Sequence, residues 1–153
     1  MTASGYTFLL ANWRNDADSI RAVREQVLRD ELGLDWRFGD EAAETDAFHI
    51  LACEAVGRDV GVGRMQRDGR IDYIAVLRPW RRVTVGCAIL SYLVHIAQAQ
   101  NIPAVWSEVP AAAERFFTGN GFTGADTGIA PGAAGRRLLR AVPPRGARRG
   151  ALQ

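Results

Sequence analysis

The sequence predicts an α+β domain: a mainly antiparallel sheet flanked by helices, in which one strand–helix–strand unit supplies a parallel neighbour. Three observations carry this prediction. Residues 47–77 hold three β-rich runs joined by two tight turns. Residues 85–100 carry an apolar helical face, and the short run Ala104–Val109 follows that helix at once. No internal repeat divides the 153 residues, and the length suits one domain, placed at residues 1–142.

In chain order, Tyr6–Trp13 (YTFLLANW) reads as a first strand. Asp16 or Asp18 is placed to cap a helix running to about Leu32, with Ile20, Val23 and Val27 on one face and a Glu25–Arg29 ion pair at i,i+4. Residues 33–46 (GLDWRFGDEAAETD) are irregular or broken-helical and acidic. Strands follow at 47–56, 60–66 and 70–77. Gly57-Arg58-Asp59 makes the first turn, and Asp68-Gly69 signals a type I′ hairpin. A helix from about Val85 to Gln100 draws its face from Ile89, Leu90, Leu93, Ile96 and Ala97. After Ala104–Val109, a helix opens at Pro110 and stops at Gly119 and Gly121. The Gly/Ala-rich stretch beyond Phe122 reads as loop until a last strand at 136–142. Pro143-Pro144 then releases a basic tail, 143–153, without fixed structure.

Composition narrows the function classes. No run approaches the roughly 18 apolar residues of a membrane span. The segment MTASGYTF lacks the charged and apolar regions of a signal peptide, so the expectation is a cytoplasmic protein. Cys53 and Cys87 form no CxxC pair, which argues against a disulfide scaffold or zinc site and for two reduced, separately buried thiols. Net charge is +2, yet residues 136–153 hold six arginines and no acid, leaving 13 arginines against 17 acids, a net −4, in the first 135 residues. The tail has no interleaved aromatics, so nucleic acid is not the expected partner. All basic residues are arginine, so the chain has no lysine of its own to acylate.

The stretch Ile71–Ala97 is the most informative. A buried strand, an arginine-rich turn and a helix opening at Gly86 form the arrangement by which main-chain amides and a helix N-terminus hold a diphosphate. The turn, R-P-W-R-R-V-T-V-G-C-A from Arg78 to Ala88, is neither a P-loop nor a G-x-G-x-x-G turn. It resembles the R-x-x-G-x-G/A acyl-CoA loop of the GCN5-related N-acetyltransferases, as Arg81-Arg82-Val83-Thr84-Val85-Gly86, after a strand ending Ile74-Ala75-Val76. HILACEAVGRDVGVGRM is similar to the family's preceding strand pair. AAAERFFTGNGF resembles its A-x-x-F-Y-x-x-x-G-F helix, and RAVREQVLRDELG resembles the R-x-x-V-F-x-x-E-Q opening of one subgroup. The resemblance spans Ile20 to Phe122.

It implies that fold, acetyl-CoA as cofactor, and direct transfer of the acetyl group to a primary amine of a small molecule or peptide. Homodimers are frequent in the family. The cofactor-binding set it implies is Ile74, Ala75, Val76, Arg81, Arg82, Val83, Thr84, Val85, Gly86, Cys87 and Phe117, with the main chain at Val76 polarising the thioester carbonyl. Two positions depart from the pattern. Thr84 replaces the first loop glycine, which a negative-φ helix cap would accommodate, and Phe117 replaces the family's acidic tyrosine. Tyr73 and Tyr92 are candidate substitutes for that acid.

For the base, Glu108 comes first, near the C-terminal end of the strand after the loop helix; His49 is second and Glu25 third. Between Asp30 and Asp46 seven carboxylates face one arginine, an acidic lip suited to a cationic amine, with Trp36 and Phe38 inside it. Two other readings stand beside this one. REQVLRDELGLDWRFGDEA is similar to the N-terminal region of acyl-homoserine lactone synthases, which use another acyl donor. Thr84 and Phe117 suit a catalytically silent acyl-CoA-binding module.

Overall fold

A computed structural model of the chain describes residues 2–3, 5–34, 40–81, 84–124 and 135–146. Arg82 and Val83, Trp36 and Phe38, and the tail from residue 147 lie outside the described residues.

Thr2–Ala3 (β1) and Tyr6–Ala11 (β2) lead into helix α1, Trp13–Arg24. The helix starts before Asp16 because Asn12 takes the cap. Its side chain accepts from the Arg14 N–H at 2.9 Å, and Asp16 accepts from the Asn12 N–H at 2.8 Å. This reciprocal exchange satisfies two donors that the helix itself leaves open. The α-helix expected to reach Leu32 instead widens: Glu25–Glu31 is π-helical, and the Leu32 N–H bonds Val27 O, five residues back, at 3.2 Å. Inside the acidic segment, Asp40 caps a short helix α2, Glu41–Asp46, by accepting from the Ala42 N–H.

Phe48–Glu54 (β3), Asp59–Met65 (β4) and Ile71–Val76 (β5) complete a five-stranded antiparallel sheet in the order β1-β2-β3-β4-β5. The second hairpin is not type I′, which would force Asp68 to positive φ. A three-residue loop, 67–69, forms instead: Gly69 alone is left-handed (φ 91°), its N–H bonds Gln66 O at 2.9 Å, and the Gln66 N–H bonds Arg70 O at 2.8 Å. Further along, β5 carries one residue more than β4 between the Val62–Ala75 and Arg64–Asp72 pairs. Tyr73 sits in that bulge at φ 50°, one of two non-glycine residues at positive φ among those described.

Helix α3, Val85–Ala99, covers one face of the sheet through Val85, Ile89, Leu90, Leu93, Val94 and Ala97, packed with Ile50, Met65 and Ile71. Ile20 and Val23 of α1, with Val27 and Leu28, cover the other face against Leu51, Val62 and Ala75. Beyond α3, Ala104–Val109 (β6) pairs with Arg136–Ala141 (β8), and β8 pairs with an unanticipated two-residue strand β7, Thr123–Gly124. Pro110 leads a 3-10 turn, Ala111–Ala113, so the helix α4 is only Glu114–Thr118.

The parallel neighbour exists as a contact point rather than a ladder, so the strands form two sheets, not one. β6 meets the residue just before β5 at one parallel bridge, Arg70 to Trp106. The Trp106 N–H bonds Gly69 O at 3.0 Å, and Ser107 Oγ donates to Ile71 O at 2.7 Å. Gly69 permits the approach, since a Cβ there would lie 2.3 Å from Ala104 O. Past this junction β5 and β6 are not paired, and the sheet opens between them.

Candidate functional site

A cleft of about 450 Å³ lies along β5 and the start of α3. Ile74, Ala75 and Val76 of β5 form one wall, Gly86 and Cys87 the start of α3, and Ala112, Ala113 and Phe116 the opposite side. Val27 and Leu32 close it from the π-helical segment, whose i,i+5 bond joins these two residues. Of the sequence-predicted cofactor set, Ile74, Ala75, Val76, Arg81, Gly86 and Cys87 line this cleft.

Thr84 stands at the N-cap of α3 at φ −75°, ψ 19°, and its hydroxyl makes no cap bond. The expected capping geometry is absent because this ψ lies outside the β region that aims a threonine oxygen at the first turn. Gly86 keeps the mouth open: a Cβ there would come within 3.3 Å of the Phe116 ring. Arg81 Nε donates to Val76 O at 2.8 Å and its terminal nitrogen pairs with Glu31, so it ties the turn both to β5 and to the π-helical segment. Arg78 approaches the same carboxylate at 3.7 Å. Phe117 is buried, edge-on to Phe116 and to Phe122, and it is Phe116 that faces the cleft. Tyr92 packs on Phe8 with ring centroids 5.0 Å apart.

The thiols are not both buried. Cys87 is exposed at the cleft, whereas Cys53 is half-buried and donates to Asp59 Oδ1 at 3.2 Å. Burial, with Asp59 beside it, pushes the Cys53 thiol up to about 11. Among the described residues, no group of three or more His, Cys, Asp and Glu side chains is placed to hold a metal, and no helix is long and apolar enough to cross a membrane.

The base candidates lie apart. Glu108, on β6, is two residues beyond the bridge, with Arg137 Nη2 at 3.4 Å and Arg70 Nη2 at 3.9 Å. Glu25 pairs with Arg29 as expected. His49, on β3, is 1% exposed, stacks on Trp13 at 5.2 Å and donates from Nε2 to the Glu44 main-chain oxygen at 2.7 Å. Like Glu108 and Glu25, it is not among the residues that line the cleft. Burial lowers its pKa below the ordinary 6.5, so the ring is neutral in the fold while the unfolded chain takes up a proton near that value. Stability from this site is therefore complete above pH 6.5 and lost as the pH falls below it. His49→Gln, which keeps a donor for Glu44 O, is expected to flatten the mildly acidic limb of a urea-midpoint-against-pH curve. An unaltered curve would place that sensitivity elsewhere.

Around His49 lies a buried charge cluster that sequence reading missed. Arg24 Nη1 bonds Glu44 at 2.6 Å, Arg64 bonds the other Glu44 oxygen, and Arg64 makes two parallel bonds to Asp72 at 2.6 and 2.7 Å. The Tyr73 ring is held by both guanidiniums, 4.6 Å from Arg24 and 4.5 Å from Arg64, which explains how a strained bulge residue stays in place beside the cleft wall. The visible signal was Arg24 itself, which falls on the Ile20–Val27 apolar face at helical spacing. Five of the seven carboxylates of the acidic segment have internal partners: Glu31 pairs with Arg81, Asp40 caps α2, Glu41 pairs with Arg21, Glu44 as above, and Asp46 with Arg67.

The fold is shared with solved structures. An acetyltransferase of the GNAT family from Staphylococcus aureus Mu50 superposes with a TM-score of 0.71, covering 90% of this chain and 99% of that one at 14% identity. The chain has the GCN5-related N-acetyltransferase fold. An acetyltransferase from Streptococcus agalactiae 2603 shares that fold at 0.70, with 15% identity over 91% of this chain and 99% of the other. N-acetylglutamate synthase from Neisseria gonorrhoeae, solved with coenzyme A and N-acetylglutamate, shares it at 0.73 and 15% identity, covering 93% of this chain and 36% of the synthase. No family model and no curated protein matches the sequence.

Proposed function

We propose that the protein transfers an acetyl group from acetyl-CoA to a primary amine. The observation that carries the reading is the cleft, apolar along β5 and open at the first turn of α3, with Gly86 leaving room at its mouth. The residues fit coenzyme A. The first-turn N–H groups of α3 have no helical partner and suit a diphosphate, with Arg81 and, from the sequence pattern, Arg82 adding charge. Ile74, Ala75, Val76, Ala113 and Phe116 suit the apolar part of a thioester arm.

When bound, the thioester supplies an activated acyl carbon and a sulfur leaving group. The amine nitrogen's lone pair forms the new C–N bond, the C–S bond breaks with its electron pair on sulfur, and the proton lost by nitrogen passes to Glu108, directly or through a water. No tyrosine lines the cleft among the described residues, so sulfur departs as thiolate. From an ordinary thiol value of about 8.5, unassisted departure is roughly 2 kcal/mol uphill at neutral pH, a slow but workable step.

Thiol release from acetyl-CoA across an amine panel tests the reading, paired with calorimetry of coenzyme A. Amine-dependent release is expected, and Arg81→Ala/Arg82→Ala is expected to weaken coenzyme A binding at least about tenfold. Unchanged affinity in that variant would remove the loop assignment. Tight binding without turnover on any amine would leave a silent acyl-CoA-binding module, and turnover only with longer acyl groups would favour another donor.

A further inference from the structure

We propose that the acceptor amine also carries a carboxylate, and that Arg70 and Arg137, both packed on Trp106, take that carboxylate; the inference rests on the acyl-transfer reading and names its acceptor class. It comes from a chain of alternating charge, Arg24–Glu44–Arg64–Asp72–Arg70–Glu108–Arg137, that runs from α1 through the sheet to β8.

The inner half of the chain is tightly paired and the outer half is not. Both Asp72 oxygens are engaged by Arg64, and one also accepts from Gln66 at 3.3 Å. Arg70 Nε, itself buried, is left 3.7 Å from Asp72 with no hydrogen-bond partner, so an anion would meet the outer nitrogens of this side chain. Glu108 is shared loosely between Arg70 at 3.9 Å and Arg137 at 3.4 Å, whereas charge-assisted bonds close to about 2.7–2.9 Å. Four guanidiniums meet three carboxylates, and the missing anion falls at the Arg70–Arg137 end. These two side chains are also the accessible ones, 36% and 44% exposed against 7% or less for Arg24 and Arg64.

The pair is positioned as well as charged. The Trp106 ring holds Arg70 at 5.3 Å and Arg137 at 4.2 Å, and a fixed guanidinium fork matches a carboxylate. The Arg70–Trp106 bridge marks the closed end of the splay. Two residues on from it come Asp72 and Glu108, and beyond the Tyr73 bulge β5 continues into Ile74–Val76, which line the cleft. An amino acid seated on the arginines would set its amine beside Glu108, which its own carboxylate would release from them. The acidic segment had pointed to a cationic acceptor, but Glu31, Asp40, Glu41, Glu44 and Asp46 all have partners inside the fold.

The test compares amino acids with the matching decarboxylated amines in acetyl-CoA thiol release, together with calorimetric titration of amino acids into the coenzyme A-saturated protein. Amino acids are expected to show kcat/KM at least about tenfold higher. Arg137→Gln and Arg70→Gln should each raise amino-acid KM by a similar factor and erase the preference, and Arg137→Lys, which keeps the charge without the fork, should recover part of it. Equal or better turnover of the decarboxylated amines, or wild-type amino-acid affinity in both glutamine variants, overturns the inference while leaving acyl transfer standing. Arginine-dependent amino-acid binding with no thiol release from any amine has the opposite meaning: the carboxylate site stands and the transfer reading falls.

Discussion

Replacing Glu44 by alanine is expected to destabilise the fold by roughly 3–5 kcal/mol, the usual result of removing one partner from a buried ion pair. Glu44 is 1% exposed, and each of its oxygens serves a different arginine. Without it, Arg64 still has the two bonds to Asp72, but Arg24 keeps no carboxylate at all. Its Nε already lacks a partner, and burial already pulls its guanidinium below the ordinary value against the attraction of Glu44. The stranded charge is therefore Arg24, and the damage should be repaired by removing it. A double variant, Arg24→Met/Glu44→Met, is expected to be more stable than Glu44→Ala, because two neutral side chains need no compensation. Urea unfolding of the single and double variants measures both effects. A loss under about 1 kcal/mol in Glu44→Ala would mean that the cluster is solvated rather than buried.

The fold was legible where a local signal matched a local outcome. The three strands of residues 47–77 and helix α3 follow directly from alternation and helical spacing, and Ile74–Val76 and Gly86, which the sequence pattern singles out, line one cleft. Non-local contacts decided the rest. Nothing in Glu25–Glu31 announces a π-helical turn, since its apolar spacing satisfies an α-helix equally well. Nothing in Ala104–Val109 says that it meets β5 at one residue and then departs; that depends on Gly69 admitting β6 at one point. The pairing of the acidic segment was hidden for a related reason: a carboxylate count does not show that Glu31, Glu41 and Glu44 meet arginines of α1, β4 and the loop after β5. Phe116 was hidden by its neighbour: the motif drew attention to Phe117, which the backbone turns into the core.

Glu108→Gln is expected to lower kcat by roughly 10²–10⁴ while leaving coenzyme A affinity intact, the range for loss of a positioned general base. Two roles compete for this residue, and they separate by what each would lose. As a structural group, Glu108 stands directly across from Arg137 in the β6–β8 register, and a cross-strand pair of this kind is worth about 0.2–1 kcal/mol of stability. Glutamine keeps the shape and an acceptor oxygen, so on that role the variant would fold almost as well and work almost as well. As a base, the carboxylate has to accept the proton of the attacking amine, and an amide cannot do so. Stability near wild type with activity lost therefore identifies proton transfer. Its two arginine contacts, 3.4 and 3.9 Å, are longer than close charge-assisted bonds, so the carboxylate is only loosely held. Chemical rescue gives an independent check, because Glu108→Ala opens space for an added small carboxylate. Formate should then restore turnover in a concentration-dependent way without changing coenzyme A binding. Full activity in Glu108→Gln would move the base to another group and return Glu108 to the cross-strand pair alone.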